Sequence, residues 1–377
     1  MGIYANYAAT TPFLSEAVIQ EIRAWLDGIH LNAGRNFDGL QKQTIALRAR
    51  RAISRLLGVD DPLRVIFTSG ATAALNMAIH SLVRPGDHVL ATSIEHNATA
   101  RPLEALRKNG LIELNWLQCE PDGTLAIERL HAAIRKNTRL LVMTHASNAL
   151  GTILPVAEFF KVAREHGILT ILDMAQTVGV VPWTMGEHCD FIAFAGHKGL
   201  GALAGTGGFV IGERAASEMR PWIYGGTGSH SHSLDMPDHL PDKFEPGTQN
   251  TLGILSIAAS AEEILQTGIA KMRENERSHF ARFVAGLKSI KKITPYGTLD
   301  PNRTTAVISL VVQGQDSGEV SQRLFEKHDI ITRSGLHCSP MAHKTAGTYP
   351  GGTVRFSFGR GTTESEIDAI LEALSVM

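Results

Sequence analysis

A lysine in a glycine-rich turn is the side chain of this sequence most suited to covalent chemistry. The turn reads Phe194-Ala195-Gly196-His197-Lys198-Gly199-Leu200-Gly201 and directly follows an apolar run that ends at Phe194. Glycines let the backbone turn tightly and approach a ligand closely. A desolvated lysine near other cations has a lowered pKa and can act as a nucleophilic amine. Lys198 is therefore predicted to form a Schiff base; the alternative is an ordinary loop lysine.

A second stretch, Phe67-Thr68-Ser69-Gly70-Ala71-Thr72, is suited to binding an anion. It ends a predicted strand and opens a predicted helix, so its first backbone N–H groups have no partner within the helix. With the hydroxyl group of Thr72, the backbone at Gly70 and Ala71 is expected to bind a phosphate group. The alternative is a plain helix N-cap.

Four further polar residues follow apolar strands, at the edge where open α/β sheets bind ligands. They are His96, Asn148, Asp173 and Gln176. Asp173 is placed to keep a pyridinium nitrogen protonated, Gln176 to donate to a phenolic oxygen, and His96 to stack on a ring. Singly, Asp173 is equally well a helix cap and His96 a solvated loop residue. Their convergence on one edge favours a shared ligand.

These features match what one cofactor requires. Pyridoxal phosphate (PLP) needs an amine, an anion site, an acid at its pyridine nitrogen, and packing against its ring. Lys198, the 67–72 turn, Asp173 and His96 are candidates for these four parts. We therefore predict a PLP-dependent enzyme.

The elements that must position these residues alternate between short apolar runs and helical periodicity. Strands are predicted over 65–68, 88–92, 140–144, 169–173, 191–194 and 208–211, and helices over 15–27, 41–57, 72–83, 103–109, 126–136 and 156–165. Apolar strands separated by helices predict an α/β fold with a mainly parallel sheet.

The last third of the chain has a different succession of predicted helices and strands, which indicates a smaller α+β domain. Helices are expected over 251–267, 269–287 and 318–327, strands over 306–312 and 353–358, and a closing helix with a capping box from Thr363 to Glu366. The division predicted is a large PLP-binding domain over 12–255 and a small domain over 1–11 and 256–377. The glycine- and proline-rich stretch 224–247 is predicted to be an ordered interface loop.

Composition excludes several classes of protein. The 377 residues are 44% hydrophobic and carry a net charge of -1, so nothing favours nucleic acid as a partner. No apolar run reaches the roughly 18 residues of a membrane span, and the N-terminus lacks a basic start followed by an apolar stretch. The three cysteines are far apart and form no metal-binding pattern. We expect a cytoplasmic protein without a metal site.

Several motifs together resemble the class V aminotransferase family, and within it the cysteine desulfurases and selenocysteine lyases. They are the start Tyr4–Thr11, Asp173-x-x-Gln176 before Gly196-His197-Lys198, and Phe244-Glu-Pro-Gly-Thr248-Gln-Asn-Thr251. The resemblance covers nearly the whole chain. It implies a PLP-dependent transferase fold of type I and a homodimer with active sites at the subunit interface. It also implies that Thr248 reaches the phosphate of the partner's PLP.

The tail indicates the subgroup. Arg333-Ser-Gly-Leu-His337-Cys338 resembles the stretch that carries the nucleophile in type II, SufS-like desulfurases. A cysteine on such a loop can be exposed, and neighbouring cations favour its thiolate. Arg333, His337, His343 and Lys344 are the cations expected there. Cys119 and Cys189 are expected to be buried and inert.

The resemblance also implies a substrate site. Arg355 matches the family's substrate-carboxylate arginine, and its strand is predicted to turn Val354, Phe356 and Phe358 to a core and Arg355 to a cleft. Arg333 and Asn148 are expected beside the same substrate.

The activity predicted is conversion of L-cysteine to L-alanine, with a persulfide formed on Cys338 and passed to an acceptor protein. Lys198 is expected to move a proton, and His96 to stack on the ring and shuttle a proton. The alternatives are a selenocysteine lyase or another C–S or C–Se lyase, then an aminotransferase or epimerase. A PLP-fold scaffold without activity is the alternative from another class.

Some positions depart from the usual desulfurase pattern. Ala195 and Ala71 stand where a hydroxyl side chain is common, Ala73 replaces a glutamate, and Asn6-Tyr7 replaces Asp-Asn. Fewer phosphate contacts predict weaker retention of PLP. The residues that can compensate are Ser69, Thr72, His197 and Thr248.

Overall fold

The computed structural model describes residues 2–28 and 44–377. After strand β1 (Ile3–Tyr4), its main feature is a seven-stranded sheet built from β2 (Val65–Thr68), β3 (Asp87–Thr92), β4 (Ile112–Leu117), β5 (Thr138–Thr144), β6 (Leu169–Asp173), β7 (Phe191–Ala195) and β8 (Gly207–Ile211). The strand order is β2-β8-β7-β6-β5-β3-β4. Strands β3 to β7 run parallel, whereas β8 is antiparallel to both β7 and β2. The predicted mainly parallel sheet is confirmed.

Helices cover both faces of this sheet. They are α1 (Glu16–Leu26), α2 (Ile45–Leu57), α3 (Ala71–Leu82), α4 (Asn97–Lys108), α5 (Ile127–Ala133), α6 (Val156–Glu165), α7 (Glu213–Glu218) and α8 (Thr251–Thr267). In β5, Leu140 and Val142 enter one apolar cluster while Leu141 and Met143 enter the other. Alternate side chains therefore fill cores on opposite faces, which is why these strands read as continuous apolar runs.

A second, four-stranded antiparallel sheet follows α9 (Ile269–Leu287). Its order is β12-β13-β10-β9, formed by β9 (Ile293–Tyr296), β10 (Val307–Val312), β12 (Arg333–Gly335) and β13 (Thr353–Ser357). Helices α10 (Ser317–His328), α11 (Pro340–Thr345) and α12 (Glu364–Ser375) accompany it, and β11 (Ile330–Ile331) pairs with β1. The capping box at Thr363 and Glu366 is confirmed. The domain boundaries stay a prediction, and residue 255 lies inside α8.

The sequence missed or displaced some elements. Strand β4 was not predicted, because polar Glu113 and Asn115 interrupt the apolar run of this edge strand. Helix α4 begins at Asn97 rather than 103, since it is capped by His96 and contains Pro102. The first three residues of the helix predicted over 41–57 lie outside the described residues. No helix of the described ranges is long and apolar enough to cross a membrane.

Candidate active site

The turn that carries Lys198 is held by close packing at its glycines. A Cβ atom on Gly196 would lie 2.1 Å from Thr206 Oγ1, and one on Gly199 would lie 2.2 Å from Val180 Cγ2. These glycines therefore approach other parts of the protein closely. The backbone comes too close to its neighbours for any side chain there.

The N-terminal segment fastens the same turn from the other side. Thr11 N–H donates to the carbonyl of His197 (2.9 Å), and Thr11 Oγ1 donates to that of Lys198 (2.7 Å). His197 Nδ1 lies 3.1 Å from Thr10 Oγ1. The lysine backbone is thus fixed by two segments far apart in sequence.

Lys198 itself has a depressed basicity. Burial lowers the pKa of its amine to about 8, and the charges of Arg355 and Arg333 act in the same direction, against the raising effect of Asp173. An ordinary lysine titrates near 10.4. A substantial neutral fraction of the amine near neutral pH is what a nucleophilic or proton-accepting lysine needs.

A cavity of about 190 Å³ brings together most of the predicted cofactor residues. It lies at the carboxyl ends of β5, β6 and β7, opposite the N-terminus of α3. Among the residues that line it are Gly70, Ala71, Thr72, His96, Asn148, Asp173, Gln176, Ala195, His197 and Lys198. Thr248, Arg333, Cys338 and Arg355 do not line this cavity.

Asp173 ends β6 and is 4% exposed. Its Oδ1 accepts from Ala175 N–H (2.9 Å), while burial raises the pKa of the carboxyl group and the amine of Lys198 opposes that rise. A buried carboxyl group that lines the cavity is well placed to share a proton with the nitrogen of a bound ring. Gln176 also reaches the cavity, and its Nε2 donates to the carbonyl of Ala8 (3.0 Å).

His96 caps α4 and has a fixed tautomer. Its Nδ1 accepts from Ala98 N–H (3.0 Å), so a neutral ring carries its proton on Nε2. Burial, followed by the positive charge of Lys198, lowers its pKa to about 4. The ring is therefore neutral near pH 7, as suits stacking on an aromatic ligand.

Behind His96 lies a buried acid that sequence reasoning missed. Glu95 Oε1 accepts from Thr92 Oγ1 (2.5 Å) and from Thr144 N–H (2.7 Å), which joins the ends of β3 and β5. Burial raises the pKa of this carboxyl to about 8, and the charge of Asp173 adds to the effect. The only sequence signal was its position beside His96.

The predicted phosphate turn has the expected backbone. Gly70 has φ of 147° and precedes α3. A glycine has no side chain with which to cap the helix, so the first N–H groups of α3 stay open to an anion. Thr72 and Ser69 line the cavity with hydroxyl side chains, whereas Ala71 and Ala195 add only methyl groups.

Cys338 sits on a separate loop, between β12 and α11, and its side chain is exposed. Arg333 Nη2 lies 3.2 Å from Cys338 Sγ. Asn97 N–H donates to the carbonyl of Cys338 (2.8 Å), which ties the loop to the start of α4 beside His96. Cys119 and Cys189 are buried as predicted, and burial raises the pKa of Cys119 to about 11.

The expected cluster of cations at this thiol is reduced to one contact. Burial lowers the pKa of His337 to about 2 and that of His343 to about 4, so both rings are neutral. Lys344 lies over the ring of Tyr349, 5.2 Å from its centroid. Arg333 is therefore the cation that contacts the sulfur.

Arg355 is fully buried, and its predicted place facing the cleft stays a prediction. Val354, Phe356 and Phe358 fill a core as predicted. The other face of β13 is covered as well, because Arg355 donates from Nη1 to the carbonyl of Asn148 (2.9 Å) and from Nη2 to Asn6 Oδ1 (2.9 Å).

Asn148 joins Arg355 to the cysteine loop. Its Nδ2 donates to the carbonyl of His337 (2.7 Å), and its Oδ1 accepts from Ser339 Oγ (2.5 Å). Both ends of the amide that was expected to contact cofactor and substrate are thus engaged. Ser339, like Asn6, was not singled out from the sequence as a contact of the site, and only its place next to Cys338 pointed to it.

Thr248 lies on an exposed loop, in a second cavity next to the first. The two cavities share Ser69, Ala73 and Gly205. Its predicted contact with a partner's phosphate stays a prediction.

A model of the family described as aminotransferase class-V matches residues 3–370. The chain belongs to the class-V aminotransferase family. A probable cysteine desulfurase of Methanothermobacter thermautotrophicus is 30% identical, with 99% of this chain and 94% of the relative covered. A cysteine desulfurase of Escherichia coli (strain K12 / DH10B) is 31% identical, with 86% of this chain and 80% of the relative covered.

Solved structures agree with this assignment. The apo structure of a cysteine desulfurase from Thermococcus onnurineus NA1 has a TM-score of 0.92 at 26% identity and covers 100% of this chain and 94% of its own. The cysteine desulfurase CsdA of Escherichia coli has a TM-score of 0.88 at 24% identity, covers 100% of this chain and 94% of its own, and shows the fold alone. The predicted PLP-dependent transferase fold of type I is confirmed.

PLP is the cofactor of this family, and the cavity fits it. An amine of lowered pKa, a buried carboxyl, a neutral imidazole and an uncapped helix N-terminus surround one space. These are the donor types that the aldehyde, the ring nitrogen, the ring face and the phosphate require.

Proposed function

We propose that this chain is a cysteine desulfurase that converts L-cysteine to L-alanine and retains the sulfur as a persulfide on Cys338. The observation that carries the proposal is the contact of the exposed Cys338 Sγ with Arg333 Nη2 (3.2 Å) on a loop tied to the cavity edge. The relatives named cysteine desulfurase support the same activity.

The reaction balances without an outside oxidant or reductant. The thiolate of Cys338 attacks the sulfur of L-cysteine, an S–S bond forms, and the Cβ–S bond breaks. Its electron pair stays on Cβ, which takes up a proton and becomes the methyl group of alanine. The transferred sulfur is oxidised as the substrate carbon is reduced.

PLP supplies, when bound, an electron-poor ring that stabilises negative charge next to the amino group of the substrate. Lys198 would hold the cofactor, and its Nζ would take the α-proton of the substrate, since its pKa of about 8 leaves a neutral fraction. Asp173 would keep a positive charge at the ring nitrogen. The neutral His96 would pack on the ring, with its Nε2 proton available for exchange.

Arg355 binds the substrate carboxylate in this proposal. Its guanidinium is 0% exposed and has neutral partners on both Nη atoms, and within the described ranges its Nε has none. Burial, followed by the positive charge of Arg333, lowers its pKa to about 9. A carboxylate would supply the missing negative charge and a two-point contact. Arg333, paired with Arg355 across β12 and β13, strengthens the same field.

The assembly is part of the proposal. A homodimer in the cytoplasm would let Thr248 reach the partner's phosphate, and its loop is exposed and available. Exposure of Cys338 favours direct transfer of sulfur to an acceptor protein. The division into domains over 12–255 and over 1–11 with 256–377 is proposed as well.

The test is product analysis of the PLP-loaded protein with L-cysteine. We expect alanine in amounts equal to the sulfur transferred. Cys338→Ser should abolish persulfide formation and leave the PLP absorption band, whereas Cys119→Ser, at a buried thiol, serves as the matched control. Pyruvate in place of alanine, or unchanged desulfuration by Cys338→Ser, contradicts the proposal. Parallel assays with selenocysteine measure the preference between the two substrates.

A further inference from the structure

A buried chain of hydrogen bonds lies under the loop that carries Cys338. His337 Nε2 is 3.2 Å from the carbonyl of Arg333, and His337 Nδ1 is 3.2 Å from His343 Nε2. His343 Nδ1 is in turn 2.7 Å from Thr348 Oγ1. His337 is 2% exposed and His343 is 1% exposed, so water does not compete for these contacts.

The direction of every bond in this chain follows from its end. A carbonyl oxygen only accepts, so His337 donates from Nε2 to Arg333. The neutral ring of His337 then accepts at Nδ1 from His343 Nε2, and His343 accepts at Nδ1 from the hydroxyl group of Thr348. One arrangement of protons satisfies all three residues, which fixes both ring orientations.

This chain of hydrogen bonds supports a turn whose backbone angles are unfavourable for its residues. Ser339 N–H donates to the carbonyl of Leu336 (2.8 Å), and the two residues between them, His337 and Cys338, have φ of 51° and 58°. A turn with positive φ at both central positions is ordinarily filled by asparagine and glycine. Other contacts must therefore hold the histidine and the cysteine in this conformation.

We propose that His343, held by Thr348, is a positioning residue for the Cys338 thiol. By fixing the ring of His337 it keeps the carbonyl and, through the strand, the guanidinium of Arg333 in place against Cys338 Sγ. Without it the turn relaxes and the sulfur loses its contact with the charged guanidinium of Arg333. The inference rests on the proposed role of Cys338.

The test measures alkylation of Cys338 by iodoacetamide in the PLP-loaded protein between pH 6 and 10, with the modified residue identified by mass spectrometry. His343→Leu should slow alkylation at pH 7 by about 10-fold. Thr348→Val, which removes only the hydroxyl group, should slow it by about 3-fold. Arg333→Gln removes the charged contact itself and should slow alkylation more than the other variants do.

Two variants separate positioning from general damage. His343→Gln keeps an N–H donor for His337 and should recover at least half of the wild-type rate, and Lys344→Ala on the same helix should alkylate normally. In the variants of His343, Thr348 and Lys344 we expect an unchanged PLP band and an unchanged KM for L-cysteine, with kcat lowered in step with alkylation. If His343→Leu misfolds and loses its PLP band, the alkylation rate of Thr348→Val decides whether the inference holds.

Wild-type alkylation in Thr348→Val and His343→Leu overturns the inference, as does a His343→Gln variant no faster than His343→Leu. Alkylation needs no turnover of cysteine. Desulfuration that survives Cys338→Ser would therefore refute the proposed function without altering the alkylation result, and the two failures can be told apart.

Discussion

The Lys198 turn and the Cys338 loop carry the two reactive groups, and the protein prepares them in opposite ways. The amine is partly buried at the end of a core strand, and its turn is fixed by close packing at Gly196 and Gly199. The thiol is exposed on a loop whose backbone is held by hydrogen bonds from Asn97 and Asn148. Burial makes the amine less basic, whereas the thiol lies at the surface in contact with the charged Arg333.

The difference in exposure between the amine and the thiol matches the reaction partner proposed for each. Under the proposed function, the amine reacts with a small molecule inside a cavity, while the thiol passes sulfur to an acceptor outside the protein. A group prepared by burial should be insensitive to salt, whereas one prepared by a partly exposed charge should respond to it.

Of the variants that test this comparison, Lys198→Ala should reduce the activity most. Loss of the amine removes both the covalent hold on PLP and the proton acceptor, so desulfuration should fall by at least about 10³-fold. The absorption band of the lysine-bound cofactor, which borohydride bleaches in the wild type, should disappear. Alkylation of Cys338 should persist, and its loss would show that the two regions are not independent.

Arg355→Gln tests the link between the regions through Asn148. Removal of the carboxylate partner should raise KM for L-cysteine by roughly 100-fold, the scale of a charge-assisted pair. The control is Arg282→Gln on α9, an arginine that pairs with Asp368 of α12 away from the cavity and whose loss should leave KM unchanged. A normal KM in Arg355→Gln would place the substrate carboxylate elsewhere.

The rate of proton removal from the substrate should follow the titration of the Lys198 amine as pH changes. Because the pKa of Lys198 is lowered to about 8, its neutral form increases as pH rises through that value. Proton removal from the substrate should therefore accelerate by about 10-fold from pH 7 to pH 9. His96 stays neutral over this range and contributes no step. Single-turnover rates with α-deuterated cysteine check this, and a flat profile contradicts the assigned proton acceptor.

The smallest effect is expected at the phosphate turn. Ala71→Thr restores a hydroxyl group next to the first N–H groups of α3 and should tighten PLP retention by about 5-fold, as one added hydrogen bond predicts. Equilibrium dialysis of PLP measures it, with Ala73→Ser as the neighbouring control. Equal retention in wild type and Ala71→Thr would mean that Ser69 or Thr72 already compensates.

The succession of strands and helices around Lys198 is predictable from the sequence, because apolar runs and helical periodicity are local patterns. It also brought Asp173, His96 and the phosphate turn to one edge of the sheet, since parallel strands end on the same side. It left out strand β4, whose polar residues hide an edge strand.

The electrostatics of the site and the contacts between distant segments follow from the packing of the whole chain. Sequence proximity suggested that His337 and His343 are cations at the thiol, but burial makes both neutral, and they form a hydrogen-bonded support. Arg355 is held by Asn148 and Asn6, two partners that its position on an alternating strand does not indicate. Charge and exposure depend on everything that packs around a group, and that information is not local in the chain.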